Sequence, residues 1–446
     1  MTEEAPRGGA AGDDAPREGV ARDEAARKGV ARDEAARKGV AGDEAARKGV
    51  AGDEAVRDGV AGDEVVVVTP PDEPPSWWDA ALFLAGPTPR TPDVASWRPE
   101  AVQLLRQRWT GGRLVVFSPE PATGVVPDYD GQIGWEEAGL HHADRIVFWV
   151  PREPVTMPAF TTNVEWGTWH RSGKAVFGAP PAAPKNRYLA AGARAEHVPA
   201  AADLAATLDL ALDGLSPGAR RTGGEREVPL LVWRTRSFQQ WYRTQTAAGH
   251  ELLRARVEWV YRRGPARRQV VYWALRTDIR VAGEDRVKTG QIVLARPDLS
   301  SVVLFHRGAT PGETLVVLVR EFRSTATTPD GFIHELPGGA GPENLSAREQ
   351  AAAEVHEETG LPLPASRLRS HGVRQVAGTL SAHRAHLFSA ELTANEVAGL
   401  RAAAGTPFGE AGSTERTWVE LHTWSGIRAG NLVDWPTLGM LAQVLG

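Results

Sequence analysis

At 446 residues the chain is long enough for two or three folded units. It contains no cysteine, which excludes disulfide scaffolds, thiolate zinc sites, iron–sulfur clusters and a cysteine nucleophile. A net charge of -5, with 24% charged residues, leaves no basic excess for a phosphate backbone, so no nucleic-acid partner is expected.

The N-terminus, MTEEAPRGG, lacks a basic segment followed by an apolar one, and no run of about 18 apolar residues follows anywhere. The expectation is a cytoplasmic protein with no membrane partner. From Ala11 to about Glu64 the chain cycles through ten-residue units, clearest in ARDEAARKGV at Ala21–Val30 and Ala31–Val40. A period of ten matches neither the heptad nor the roughly 11-residue coiled-coil pattern, and it is shorter than solenoid units. Each unit offers one valine to bury and a glycine that interrupts any helix, so residues 1–76 read as a disordered or transiently helical repeat tail ending in a Pro-rich linker, VVVVTPPDEPPSWWD.

Residues 77–215 alternate short apolar runs with helix-compatible stretches. The runs are ALFLAG (Ala81–Gly86), LVVFS (Leu114–Ser118), IVFWV (Ile146–Val150) and KAVFG (Lys174–Gly178). Continuous apolar strands between helices predict an α/β doubly wound parallel sheet covered on both faces, with ligands at the carboxyl ends of the strands. FLAGPTPR lies at one such end, where Gly86 and Pro87 make a rigid turn that lets backbone approach a ligand. In TTNVEWG, Thr162 or Asn163 reads as a helix N-cap with Glu165 in the first turn. A helix N-terminus favours the carboxylate form, hence a nucleophile; the plainer reading is a capping carboxylate without chemistry. Asp144, at the head of a strand, reads as structural.

LFLAGPTPR, WEEAGLHHADRIVFWVPR, TTNVEWG and KNRYL together resemble the nucleoside 2-deoxyribosyltransferase family in its divergent second branch. The resemblance implies that Glu165 attacks C1′ of a deoxyribonucleoside to form a glycosyl–enzyme intermediate. It places an acid partner on YDGQIGWEE, either Glu136 or Asp130, where the family usually carries aspartate. Tyr129, Gln132 and Trp135 would line the base pocket.

Ser216–Glu227 reads as a second linker. From Val228 to Gly446 the pattern changes to strands separated by Gly, Pro and Asp turns, with one strong helix at Ser346–Thr359, which predicts an α+β unit with a mixed sheet. On that helix Glu354, Glu357 and Glu358 stand at i, i+3 and i+4, a spacing that gathers carboxylates suited to Mg²⁺ or Mn²⁺. Gly360 supplies the left-handed stop. An exposed acidic helix face with a glycine cap is the bland alternative.

DGFIHELPGGAGPENLSAREQAAAEVHEETGL resembles the Nudix box, with Gly339, Glu354, Val355, Glu357, Glu358, Gly360 and Leu361 in place. Leu345 stands where the first glutamate belongs and Ala353 replaces the arginine. REFRS (Arg320–Ser324) and HELPGG are similar to the ADP-ribose and nucleoside-diphosphate-sugar branch. That resemblance implies a metal-dependent hydrolase with a mixed sheet, in which Arg320 and Arg323 place a diphosphate and Glu335 joins Glu354, Glu357 and Glu358 at the metal. The general base is then Glu410 or Glu415. His383 and His386 read as strand or loop histidines.

The whole is expected to be a bifunctional enzyme acting on small nucleosides or nucleotides. The alternative is a nucleotide-binding sensor or scaffold with a degenerate box. Nothing in the sequence excludes a homo-oligomer.

Overall fold

The computed structural model describes residues 62–121, 128–341, 345–409 and 414–446; the decapeptide repeats and Glu410 lie outside the described residues. Four of the strands expected from apolar runs form at Ala80–Ala85, Arg113–Phe117, Arg145–Trp149 and Ala175–Gly178. They share an all-parallel sheet with Glu64–Val68 and Ala200–Ala201. Its order is Glu64–Val68, Arg113–Phe117, Ala80–Ala85, Arg145–Trp149, Ala175–Gly178, Ala200–Ala201.

Alternate residues of these strands feed two cores, as the period of two requires. Phe83, Phe117, Ile146 and Phe148 pack on one face, against Leu140, Trp166 and Leu189 of the helices Tyr129–His142, Phe160–Trp169 and Arg187–Ala195. Leu82, Leu84, Val116 and Val147 pack on the other, against Leu105 and Leu208 of Arg98–Arg108 and Leu204–Leu212. Chain order reverses on either side of Ala80–Ala85, so a crevice opens at its carboxyl end.

Two stretches read as linkers are folded. Val65–Val68 pair in parallel with Leu114–Phe117, because four consecutive β-branched residues suit an edge strand better than a Pro-rich spacer. Within Ser216–Glu227, Arg221–Thr222 pair with Trp77–Trp78, and the Arg221 side chain is wholly buried.

Two separate sheets follow. Glu251–Arg263, Gln269–Val281 and Arg286–Ala295 form an antiparallel sheet. Trp273 and Leu275 of this sheet pack with Val232 and with Phe238 of the helix Arg236–Ala247. The mixed sheet runs Arg369–Gln375, Arg384–Glu391, Leu299–His306, Leu315–Phe322, Thr417–Thr423, Pro407–Phe408. Leu299–His306 and Arg384–Glu391 are parallel and the other neighbours antiparallel. The helix Ala347–Thr359 lays Ala351 and Val355 on Val302, Leu304 and Val317 of one face. Trp424, Ile427 and Leu441 cover Val303, Val316 and Leu318 on the other. Ser346 and Glu349 form a capping box at the start of this helix, and Gly360 ends it at φ 69°. Among the described residues, no helix is long and apolar enough to cross a membrane.

Candidate functional site

The turn after Ala80–Ala85 sets the first site. Gly86 has φ 150°, and a Cβ there would lie 2.2 Å from the Trp149 carbonyl oxygen, so only glycine fits between the strand ends. Beneath the turn lies the buried guanidinium of Arg98. It donates to the carbonyls of Leu84 (3.3 Å) and Gly86 (2.8 Å), to Thr88 Oγ1 (3.1 Å) and to Glu120 (2.6 Å). Burial lowers its pKa, and Glu120 opposes that shift. This arginine escaped the sequence reading; an Arg at the head of an otherwise apolar helix face was the available signal.

Above the turn a cavity of about 220 Å³ is lined by Gly86, Pro87, Tyr129, Gln132, Glu136 and Glu165, among others. Burial first, and then the Glu136 charge, push the Glu165 carboxyl up to about 7 against the pull of Arg98. Burial also raises Glu136, partly offset by Gln132 and Arg98. Gln132 Nε2 donates to Glu136 Oε1 (2.7 Å) and to the Pro119 carbonyl (3.2 Å). Its Oε1 is buried with no hydrogen-bond partner among the described residues, an acceptor held ready at the cavity wall.

The reason expected for an ionised Glu165 does not hold. The helix begins at Phe160 after Ala159, which sits in the left-handed region at φ 59°, so Glu165 lies beyond the first turn and gains little from the N-terminal dipole. Thr162 is buried inside the helix, and Asn163 Oδ1 accepts from Arg152 (2.7 Å), which also holds Asn186 Oδ1 and the Pro158 carbonyl. Arg152 thereby fixes the start of the helix.

Two other expected residues stand elsewhere. Asp130 is exposed in the first turn of Tyr129–His142. Trp135 packs edge-on to Phe117 and donates to the Asp72 carbonyl (3.0 Å), in the apolar layer beneath the cavity. Asp144 is buried in an ion pair with Arg221.

The second site lies where Phe332–Glu335 and the Gly338–Gly339 turn meet the helix Ala347–Thr359. Glu358 Oε2 accepts from the Gly338 amide (2.8 Å), and a Cβ at position 339 would lie 2.7 Å from Glu354 Oε1. Burial pushes Glu358 well above the usual carboxylate range, with Glu354, Glu335 and Glu321 adding to the rise. Glu357 is exposed one position away. Arg323 reaches Glu321 (2.8 Å), Glu335 (3.1 Å) and Glu415 (3.7 Å). Arg320 instead pairs with Asp330 (2.8 Å) and lies over the Phe332 ring.

Glu321, buried and raised to about 7 first by burial, was not anticipated. Its alternation with Val317 and Val319 on the face under the helix was the legible signal. Leu345 lines a separate small cavity with Gln350 and His386, and Ala353 is exposed. His383 Nδ1 meets Ser381 Oγ (2.8 Å), and His386 lies 3.7 Å from Asp298.

Registry puts Glu420 and His422 on the opposite face, beside Leu318 and Val316. With His334 they bring one ligand atom each within 4.8 Å of one another, a set that could hold a metal ion.

No match to the chain is found among curated proteins. Residues 79–183, which carry Gly86, Arg98, Glu136 and Glu165, match the model of the family described as nucleoside 2-deoxyribosyltransferase like, and the parallel-sheet unit is therefore deoxyribosyltransferase-like.

Proposed function

We propose that the chain is a bifunctional enzyme of nucleotide metabolism, whose parallel-sheet unit cleaves or transfers the N-glycosidic bond of a (deoxy)nucleoside or nucleotide. The observation that carries this reading is the pair Glu165 and Glu136 lining one cavity beside the Gly86 turn, inside the stretch that matches the family model. As carboxylate, Glu165 attacks C1′. The C1′–N bond breaks, its electron pair goes to the base, and the base takes a proton from Glu136, whose raised pKa suits a donor. Water or a second base then displaces Glu165. Arg98 positions the turn and stabilises the carboxylate form of Glu165. The test is chromatography of a nucleoside and nucleotide panel with wild type and Glu165→Gln: base release or exchange should depend on Glu165, and an equally active variant would refute the assignment.

For residues 228–446 the reading is a Nudix-type hydrolase of a nucleoside diphosphate derivative such as ADP-ribose. The donor set fits a hard divalent cation, Mg²⁺ or Mn²⁺, because Glu335, Glu354 and Glu358 crowd one turn, where the charges of Glu354 and Glu335 add to the rise that burial imposes on Glu358. With Glu357, these residues would hold the ion, which would neutralise charge on a pyrophosphate. Arg323, paired with Glu335 and Glu321, fills the orienting part left empty by Ala353. The same insertion of Arg323 among the carboxylates favours a second reading, a domain that binds nucleotide without turnover. Formation of AMP and ribose 5-phosphate from ADP-ribose and water with Mg²⁺, lost in Glu358→Gln, separates the two.

A further inference from the structure

Glu136 and Glu165 also line a second and larger cavity, of about 770 Å³, whose lining does not include the Gly86 turn. One wall comes from Tyr129–His142 and from a single face of Phe160–Trp169, through Thr161, Val164, Glu165 and Thr168. The opposite wall is not part of the parallel-sheet unit. It is residues 256–260 of the antiparallel sheet, together with Arg267 at the turn that follows. The two carboxylates thus stand where a small pocket meets a long one, and the later unit completes the long one.

The cavity lining carries carboxylates at Glu136, Glu137, Glu165 and Glu258, but around Glu196 arginines outnumber them. Glu196 accepts from Arg171 Nε (3.2 Å) and from Arg267 Nη1 (2.6 Å). Arg262 joins them: it donates to the Arg267 carbonyl (3.2 Å), and its own pKa is lowered by burial and then by Arg267. Two guanidinium groups of the lining share the Glu196 carboxylate, and Arg262, outside the lining, adds a third positive charge near them. Arg171 lies in the turn just past the end of the helix that carries Glu165, which stops at Trp169. Arg267 is held in place by a turn in which Ala266 and Arg267 both have positive φ, 52° and 50°. Planar guanidinium forks with N–H groups to spare are the usual partners of phosphate oxygens. Trp259, half exposed on the same wall, adds an aromatic surface.

We propose that this cavity takes a phosphorylated ligand, a nucleoside 5′-monophosphate, with the phosphate on Arg171 and Arg267 and the sugar C1′ at Glu165. The substrate of the glycosyl site is then a nucleotide rather than a nucleoside, and the antiparallel sheet supplies half of its anchor. This inference rests on the reading of Glu165 as the glycosyl centre, but its test does not require turnover.

Calorimetric titration of full-length Glu165→Gln with the four deoxynucleoside 5′-monophosphates and with the matching nucleosides measures the phosphate preference directly. At least one monophosphate should bind about tenfold or more tightly than its nucleoside, the preference should shrink with added salt, and it should fall to about one in the variant that also carries Arg171→Gln and Arg267→Gln. Thermal melts report whether that variant folds, and Arg267→Lys, which keeps the charge, should retain part of the preference. Equal affinity for both ligands, no binding of either, or a preference that survives removal of both arginines overturns the proposal. Base release by wild type from the monophosphates and from the nucleosides, measured separately, tells failure of the glycosyl reading, in which neither is cleaved, apart from failure of this one.

Discussion

Arg221 and Asp144 form an ion pair with both side chains fully buried, Nη2 to Oδ2 2.6 Å. Asp144 also accepts from the amides of Ala81 (2.8 Å) and Leu230 (2.6 Å), so one carboxylate joins the parallel sheet, the strand at Arg221 and the chain entering the next unit. Removing one partner leaves the other charge buried and uncompensated, at a cost of about 3–5 kcal/mol. Arg221→Met should therefore lower the urea midpoint steeply. A loss below about 1 kcal/mol would mean that water or a neighbour compensates.

Ionisation of Glu165 sets the pH dependence. With its carboxyl raised to about 7, roughly a tenth is ionised at pH 6, so base release should rise above pH 6 as Glu165 ionises and fall again where Glu136, also raised by burial, loses the proton it donates. Between the ordinary value of 4.5 and about 7 the folded chain holds a proton that the unfolded chain has lost. Stability from this group is thus complete below 4.5 and declines as pH rises through 7. Glu165→Gln should flatten that decline in melting scans and reduce the rate by more than about 10²-fold. A rate profile already flat at pH 5 would show that another group ionises.

Replacing Gly86 by alanine tests the turn. The added Cβ would meet the Trp149 carbonyl oxygen and the Trp97 ring, costing about 1–3 kcal/mol and displacing the cavity floor. We expect a lower melting temperature together with weakened ligand binding. A stable variant with unchanged binding would mean that the strand ends can part without consequence.

In the second unit, Glu358→Gln should be neutral or stabilising in EDTA above pH 7, because it removes a buried carboxylate whose charge is disfavoured. The same change should diminish stabilisation by Mn²⁺, which at about 100 times its dissociation constant is worth ~2.7 kcal/mol in wild type. Melting curves with and without metal measure both effects. Equal metal shifts in the two proteins would remove Glu358 from the ligand set.

What the sequence made legible follows from the range of the interactions involved. The parallel strands were readable because a strand buried on both faces must be apolar at every position, as in IVFWV. The helix Ala347–Thr359 was readable from its own caps, Ser346 and Gly360. Glu165 could be singled out, but not the cause of its protonation state. Burial, Glu136 and Arg98 reach it from other helices, whereas the local pattern pointed to a cap that forms earlier, at Ala159. Arg221 looked like part of a polar linker because the partner that permits its burial lies 77 positions away. The cavity wall at residues 256–260 belongs to a different sheet, and no short-range pattern connects it to Glu136.

Asp63 and Glu64 fasten the outermost parallel strand. Asp63 Oδ1 accepts from the amides of Gly111 and Gly112, and Glu64 pairs with Arg113. That strand is the selvedge of the sheet. Unpick it, and Arg113–Phe117 presents bare amides and carbonyls along a Leu-Val-Val-Phe border to which a second chain can stitch itself. Cutting the chain back to residue 62 leaves the border hemmed, while cutting to residue 77, where composition alone would start the first folded unit, exposes it. Light scattering should find the longer fragment dispersed and the shorter one clotted.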